Sequence, residues 1–404
     1  MKILITVDGL FKRTPDGKVW IDTIYSNYFW KRYLQVFDKV RVAGRIEDVE
    51  SVDDSILLAS CENVEFYPLT QYRGPIEYIK KYLKLIQSAN NIVDGCDCVL
   101  FRIPSPIANI VEKQVKNKKI PYAIELVNDP WDTFRPGAYK SIIRPIVRIL
   151  LTKQCKRMAA KANGASYVTK LALQERYPAR ARIIGESDEA FESFYSSISL
   201  KRSFITEKKI YGNSKSIILV HTNSCITDFS KGHHIVIDTI KILCDKGYDC
   251  KCIFIGDGPK RGFFQNYADK LGVGKNIEFT GLLCTQDEVK KKLMNADIFL
   301  LPTTGEGLPR CIIEAMAVGL PCLATGCNGI PELLSEDCLM KLNGNSYADK
   351  IIEWVNNPEL MNEQSERNIS KAAEYCEDIL NNRRVEFYEK LNKLSLNNDK
   401  KAGG

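Results

Sequence analysis

The stretch Pro302-Thr303-Thr304-Gly305-Glu306-Gly307-Leu308-Pro309-Arg310-Cys311-Ile312-Ile313-Glu314-Ala315-Met316-Ala317 decides the fold. It follows Ile298-Phe299-Leu300-Leu301, an apolar run that reads as a buried strand. Beyond the glycine turn, Arg310–Val318 reads as a helix. Strand, glycine turn and helix in succession make the repeating unit of a parallel α/β sheet. Gly305 and Gly307 let backbone approach a ligand closely. The helix start offers unpaired N–H groups and a positive dipole end, which suit a diphosphate. Glu306 precedes this helix and Glu314 follows about two turns later. One carboxylate can therefore meet sugar hydroxyls and the other ribose hydroxyls. The plainer alternative makes Glu306 a helix cap and Glu314 an exposed carboxylate. Against it, Glu314 lies between Ile313 and Ala315-Met316-Ala317, where a buried carboxylate requires partners.

Outward from this unit the alternation continues in both directions. In the first half, Met1–Val7, Val40–Ala43, Cys98–Arg102 and Tyr122–Val127 read as strands, with helices over Ile24–Phe37, Tyr78–Ile92 and Asn109–Lys118 between them. Periodicity lapses near Gly185–Thr206 and then restarts. Strands are expected at Ser216–His221, Cys252–Ile255, Ile277–Phe279 and Pro321–Ala324, and helices at Gly232–Lys246 and Gln286–Met294. The fold class is therefore α/β, with two Rossmann-like domains facing a central cleft. The first covers 1–190, joined by a C-terminal helix over 378–396, and the second covers 205–377. Ligands in such sheets sit beyond the carboxyl ends of the strands.

The chain has 404 residues, 45% hydrophobic and 26% charged, which is a globular composition long enough for two domains. No run approaches the roughly 20 apolar residues of a membrane span. The N-terminus reads as a strand and lacks a secretory leader's apolar region, so a cytoplasmic location is expected. The 14 cysteines agree, because Cys96/Cys98 and Cys250/Cys252 fall in strand-like runs and read as buried thiols. With only three histidines, His221, His233 and His234, no metal centre is expected. The net charge of +7 fits phosphate-bearing substrates or an anionic membrane surface, and equally an ordinary surface average. No nucleic-acid motif is present.

Glu306, seven residues, Glu314, then Ala-Met-Ala and Gly319-Leu320-Pro321 resembles the signature of family 4 retaining glycosyltransferases of the GT-B fold. Ile255-Gly256-Asp257-Gly258-Pro259, Phe279-Thr280-Gly281, Ala296–Pro302 and Gly329-Ile330-Pro331-Glu332-Leu333 are similar to the family's other motifs, in order. Phe29–Leu34, Arg102–Ser105 and Asp129–Asp132 look like a bacterial surface-polysaccharide branch of it.

The resemblance implies Glu306 and Lys231 as catalytic residues. Lys231 would neutralise the leaving diphosphate, although by its residue type alone it reads as a solvated lysine at a helix start. Glu314 would hold the ribose, and Gly307, Leu308, Arg310, Gly256, Thr280 and Asn223 would line the donor. The family's arginine before the lysine is missing from His221–Asp228; Arg310 or Arg261 is a candidate replacement, or Asn223 and Ser224 supply neutral donors instead. The family's acceptor-side histidine is also missing, which leaves Gly9, Asn128, Asp129 and Glu125 as candidates. Trp30 and Trp131 are either packing or sugar-stacking residues.

The implied reaction moves a sugar from a nucleotide-diphosphate donor, UDP-linked, to a glycan or lipid-linked glycan acceptor in surface polysaccharide synthesis. It retains anomeric configuration and uses no metal or cofactor. The rivals are a sugar phosphorylase or epimerase on the same fold, and a non-catalytic partner. Residues 138–161, with Lys140, Arg144 and Arg148 among isoleucines and leucines, read as a basic amphipathic helix. It would either lie on an anionic membrane, making the protein peripheral there, or pack its apolar stripe in the core.

Overall fold

The computed structural model describes residues 1–53, 56–136, 142–214, 216–283 and 285–402. A nine-stranded sheet holds β1 (Lys2–Arg13), β2 (Val19–Ile21), β3 (Lys39–Asp48), β4 (Leu57–Leu58), β5 (Val64–Leu69), β6 (Cys98–Ile103), β7 (Tyr122–Leu126), β8 (Gly164–Tyr167) and β9 (Phe191–Phe194). Its parallel strands run β5-β3-β1-β6-β7-β8-β9, and the short antiparallel strands β2 and β4 extend from the end of β1. Both faces of this sheet are covered. Ile3, Ile5 and Val7 point into one core cluster and Leu4 into the other, as the two-residue period of a strand requires.

The second sheet is parallel throughout, in the order β12-β11-β10-β13-β14-β15, with β10 (Ser216–Cys225), β11 (Asp249–Asp257), β12 (Ile277–Phe279), β13 (Ile298–Leu301), β14 (Cys322–Thr325) and β15 (Leu339–Met340). Counted from β10, this is the 3-2-1-4-5-6 order of a doubly wound fold. Its strand order reverses between β10 and β13, and the crevice at that reversal is where such sheets take ligands. The two-Rossmann, GT-B reading of the sequence holds.

The final helix, Glu377–Ala402, returns to the first sheet. Phe387 packs edge-on to Phe191 at 5.3 Å, and the rings of Tyr388 and Tyr33 lie 4.9 Å apart.

Three expectations about elements change. The first strand does not stop before Asp8-Gly9. It continues to Arg13, and a register shift between Thr6 and Leu10 absorbs the turn-like pair while Leu10–Arg13 keep pairing with β3. The helix expected over Ile24–Phe37 is shorter, Asn27–Leu34. The basic helix runs Arg144–Ala159 with Pro145 in its first turn, where a proline's missing N–H costs nothing. Residues 138–141 of that expected helix, Lys140 among them, lie outside the described residues.

Candidate active site

Lys231 follows β10 and Glu306 follows β13, so the two sit on either side of the strand reversal. Their side chains form an ion pair. Backbone explains the meeting. Ser230 carbonyl accepts from Thr304 N at 2.8 Å and from Thr304 Oγ1 at 3.0 Å, tying the two loops together. Gly232 has φ +71°, and a Cβ there would stand 2.1 Å from the Pro302 carbonyl, so only glycine permits this approach. The far side of the Glu306 loop is held by Asn328, whose amide donates to the Glu306 carbonyl, and by Gly329 N, which donates to the Gly307 carbonyl at 3.0 Å.

The helix Arg310–Ala317 leaves this loop behind Pro309. Arg310 is exposed at its first turn. Glu314 is half-buried, and no hydrogen-bond partner meets its carboxylate among the described residues. Burial pushes its pKa up to about 6, opposed by Arg310. A desolvated carboxylate with unfilled acceptors is suited to taking hydroxyl donors from a ligand.

The remaining donor-side candidates gather at the same edge. Asn223 lies near the end of β10, and its amide donates to the Cys225 carbonyl at 3.0 Å. Gly256, with φ +136°, packs so tightly on Asn223 that a Cβ would lie 1.8 Å from its carbonyl oxygen. Thr280 follows β12, with Oγ1 donating to the Gly281 carbonyl at 2.9 Å. Leu308 is buried beneath the loop. Arg261 is engaged by Asp257 at 3.3 Å.

On the facing half, the candidates divide. Asn128 lines the cleft, its Cα 3.9 Å from where a Gly307 Cβ would be. Asp129 is buried and occupied. It accepts from Trp131 N at 2.9 Å and from Tyr177 Oη at 2.5 Å, and it pairs with Arg176. Glu125 is likewise committed, to Arg102 and to the hydroxyls of Tyr33, Tyr195 and Tyr388. Neither carboxylate is free to meet an acceptor. Gly9 is buried within β1 against Phe11, not in a cleft loop. Trp30 is a core residue, fully buried with its indole N–H donating to the Ala59 carbonyl at 3.1 Å. Trp131 stays partly exposed, with the Arg148 guanidinium 3.7 Å above its ring.

Sequence reasoning missed two residues. Arg135 is the first; its guanidinium would stand 3.5 Å from a Gly305 Cβ, which brings a cation from the first half to the Glu306 loop. Glu332 is the second, as a contact between halves. Its carboxylate accepts from the backbone N–H groups of Lys170, Leu171 and Ala172 at 2.5, 3.0 and 2.8 Å. Nothing local in either segment announces these contacts, because the partners are distant in sequence. Among the described residues, no group of three or more His, Cys, Asp or Glu could hold a metal ion, and no helix is long and apolar enough to cross a membrane.

Residues 206–375 match the family model described as glycosyl transferases group 1. Protein CapJ of Staphylococcus aureus is 28% identical over 371 residues, which are 91% of this chain and 89% of that protein. The putative colanic acid biosynthesis glycosyltransferase WcaL of Escherichia coli (strain K12) is 35% identical over 113 residues, 26% of this chain and 28% of that one. The crystal structure of Anabaena HepE in complex with UDP superposes with a TM-score of 0.61 at 14% identity, covering 98% of this chain and 100% of that chain.

Proposed function

We propose that this chain, a glycosyltransferase whose residues 206–375 form a group 1 domain, takes a sugar from a UDP-linked donor and adds it, with retained configuration, to a growing surface polysaccharide. The observation that carries the reading is the Lys231–Glu306 pair beside the start of the helix Arg310–Ala317. A donor's diphosphate would take Lys231 and the helix N–H groups, and its sugar hydroxyls would take Glu306. One ion pair is then replaced by two ligand contacts. Lys231 stabilises charge that grows on the leaving phosphate as the glycosidic bond breaks. Glu314 accepts from the ribose hydroxyls. Arg135 provides the second cation that His221–Asp228 lacks. No metal enters this scheme. HepE, crystallised with UDP, and WcaL, named for colanic acid biosynthesis, support the nucleotide and the polysaccharide class.

The acceptor comes from the first half, from a glycan or a lipid-linked glycan, at an anionic membrane face. Ile146, Ile149 and Leu150 are exposed on the helix Arg144–Ala159, with Lys153 and Lys156 exposed beside them. The helix Gly74–Ser88 exposes Ile76, Ile79, Leu83 and Ile86 at helical spacing, with Lys80 and Lys84. Both helices bury their inner sides in one core cluster, so these stripes lie over the same face of the sheet.

Calorimetric titration with UDP, GDP and ADP, followed by turnover of the sugar-linked form of whichever binds, tests the function. UDP binding with transfer to acceptor is expected. Absence of nucleotide binding overturns the reading, and binding without turnover on any donor favours a non-catalytic partner.

A further inference from the structure

A pocket opens beside the Glu306 loop, between the helix Asn27–Leu34, the ends of β7 and β8, and the C-terminal helix. Val127 and Val168 form one wall, and both also stand against Gly307: a Cβ there would lie 3.4 Å from Val168 Cγ2 and 3.6 Å from the Val127 carbonyl. The pocket therefore belongs to the cleft and faces the loop that carries Glu306. Three guanidiniums line it, those of Arg32, Arg102 and Arg384, against one carboxylate, Glu125.

Glu125 cannot balance all three. Its oxygens are taken by Arg102 and by three tyrosine hydroxyls. No carboxylate pairs with Arg32 or Arg384 among the described residues. Arg384 is 6% exposed, its two hydrogen bonds are long, 3.4 Å to the Ser196 carbonyl and 3.5 Å to Asn381, and its Nε is buried with no partner. The Nε of Arg102 is also buried without a partner. Burial, then the neighbouring Arg384 charge, pulls the Arg32 pKa down. Desolvated cations that crowd each other and lack a counterion favour an anion between them. Arg32 and Arg384 rest on aromatic faces, 4.3 Å from the Phe29 ring and 5.1 Å from the Tyr195 ring; a ring face offsets only part of the cost of a desolvated, unpaired charge.

We propose that this pocket is an acceptor subsite for an oxyanion, a carboxylate or phosphate carried by the acceptor, bound between Arg32 and Arg384. The proposal rests on the transferase reading, since it assigns the acceptor to this side of the cleft. Its interior volume of about 20 Å³ admits one small substituent and not a sugar ring; a single water needs about 10–15 Å³. The anionic group thus anchors the acceptor while its hydroxyl-bearing ring stays in the cleft near Glu306. Neutral acceptors forgo this anchor.

The test uses the full chain saturated with UDP, at constant ionic strength, titrated calorimetrically with glucuronate, glucose 6-phosphate and glucose. Binding of at least one anionic sugar and not of glucose is expected, and comparison of the two anions separates carboxylate from phosphate. Arg32→Gln, on the half-buried face of a surface helix, should weaken that binding about tenfold or more, the loss of a charge-assisted hydrogen bond, and Arg32→Lys should restore part of it. Arg384→Gln should act in parallel where circular dichroism shows it folded. Glucose binding as well as the anions, no binding by either anion, or an Arg32→Gln variant equal to the parent overturns the subsite. UDP affinity is measured on the same samples: its absence counts against the transferase reading, whereas intact UDP binding without an anion response counts against the pocket alone.

Discussion

Lys231 and Glu306, 75 residues apart, close an ion pair across the point where the strand order of the second sheet reverses. Each is partly open to solvent, with side chains 26% and 20% exposed. A partly exposed pair contributes at most about 1 kcal/mol to stability. Replacement of either residue should therefore leave the fold intact while removing a group that meets the donor in the proposed reaction. Lys231→Ala and Glu306→Ala should each lower kcat by about a hundredfold or more, with a thermal midpoint close to the parent's. Arg135→Ala should lower kcat in the same direction and by less, since Lys231 remains. Steady-state rates and melting curves on the same preparations check this, and near-parental rates in both Lys231→Ala and Glu306→Ala would remove the site from that loop.

Glu314 gives the site a pH signature. Its pKa is raised from 4.5 to about 6 by burial. If its carboxylate accepts from ribose hydroxyls, the protonated form offers a weaker acceptor, so UDP affinity should fall as pH drops below about 6. The stability sign runs the other way. The folded state holds the extra proton between the two pKa values, so the favourable contribution is complete below about 4.5 and is lost as pH rises through about 6. Glu314→Gln should thus be stabilised at neutral pH by up to about 2 kcal/mol while losing the pH dependence of UDP binding. Calorimetry at pH 5.5 and 7.5 and urea titrations of both proteins measure the two effects. Affinity that is flat with pH in the parent would free Glu314 from the ribose.

How far the sequence reveals this molecule depends on the range over which each feature is encoded. The strand Ile298–Leu301, its glycine turn and the next helix are written within about twenty consecutive residues, and the helix Gln286–Met294 starts where Thr285 and Glu288 cap it locally. Lys231 is legible only through resemblance, since its partner is supplied by another loop. Residues whose roles depend on long-range packing are not legible at all. Trp30 looks the same whether it stacks on a sugar or fills a core, and the returning Glu377–Ala402 helix helps to close the core around it. Glu125 lies near the end of β7 and Asp129 just beyond it, where ligands of such sheets sit, yet tyrosines and arginines from distant segments consume their oxygens. Asp8-Gly9 carries a turn signal that a bulge absorbs inside β1.

Glu332 joins the two halves through three backbone N–H groups at the start of the short helix Ala172–Arg176. Its removal leaves those donors to water and takes one tie from across the cleft. Glu332→Ala should raise the radius of gyration in small-angle scattering and lower kcat, while each half keeps its own core. Saturating donor should recover part of the compaction if closure and donor binding are linked. A scattering profile identical to the parent's would mean that other contacts hold the halves together.

The buried pair His221 and His233 sets an acid limit on stability. The rings lie 4.5 Å apart, with His221 Nδ1 2.9 Å from the Leu300 carbonyl and His233 stacked on Phe264 at 4.8 Å. Burial lowers the His221 pKa to about 4 and that of His233 further. Both rings stay neutral in the folded state while the unfolded chain takes up protons below about 6.5. Their contribution is therefore complete above pH 6.5 and lost as pH falls towards 4, at up to about 1.4 kcal/mol per pH unit for each ring. Glu314 offsets part of this between pH 6 and 4.5, since it acts with the opposite sign. His233→Phe keeps an aromatic ring against Phe254 and Phe264 and removes one titrating group. Urea midpoints between pH 7 and 5 should fall less steeply in His233→Phe than in the parent, and equal slopes would place the acid sensitivity elsewhere.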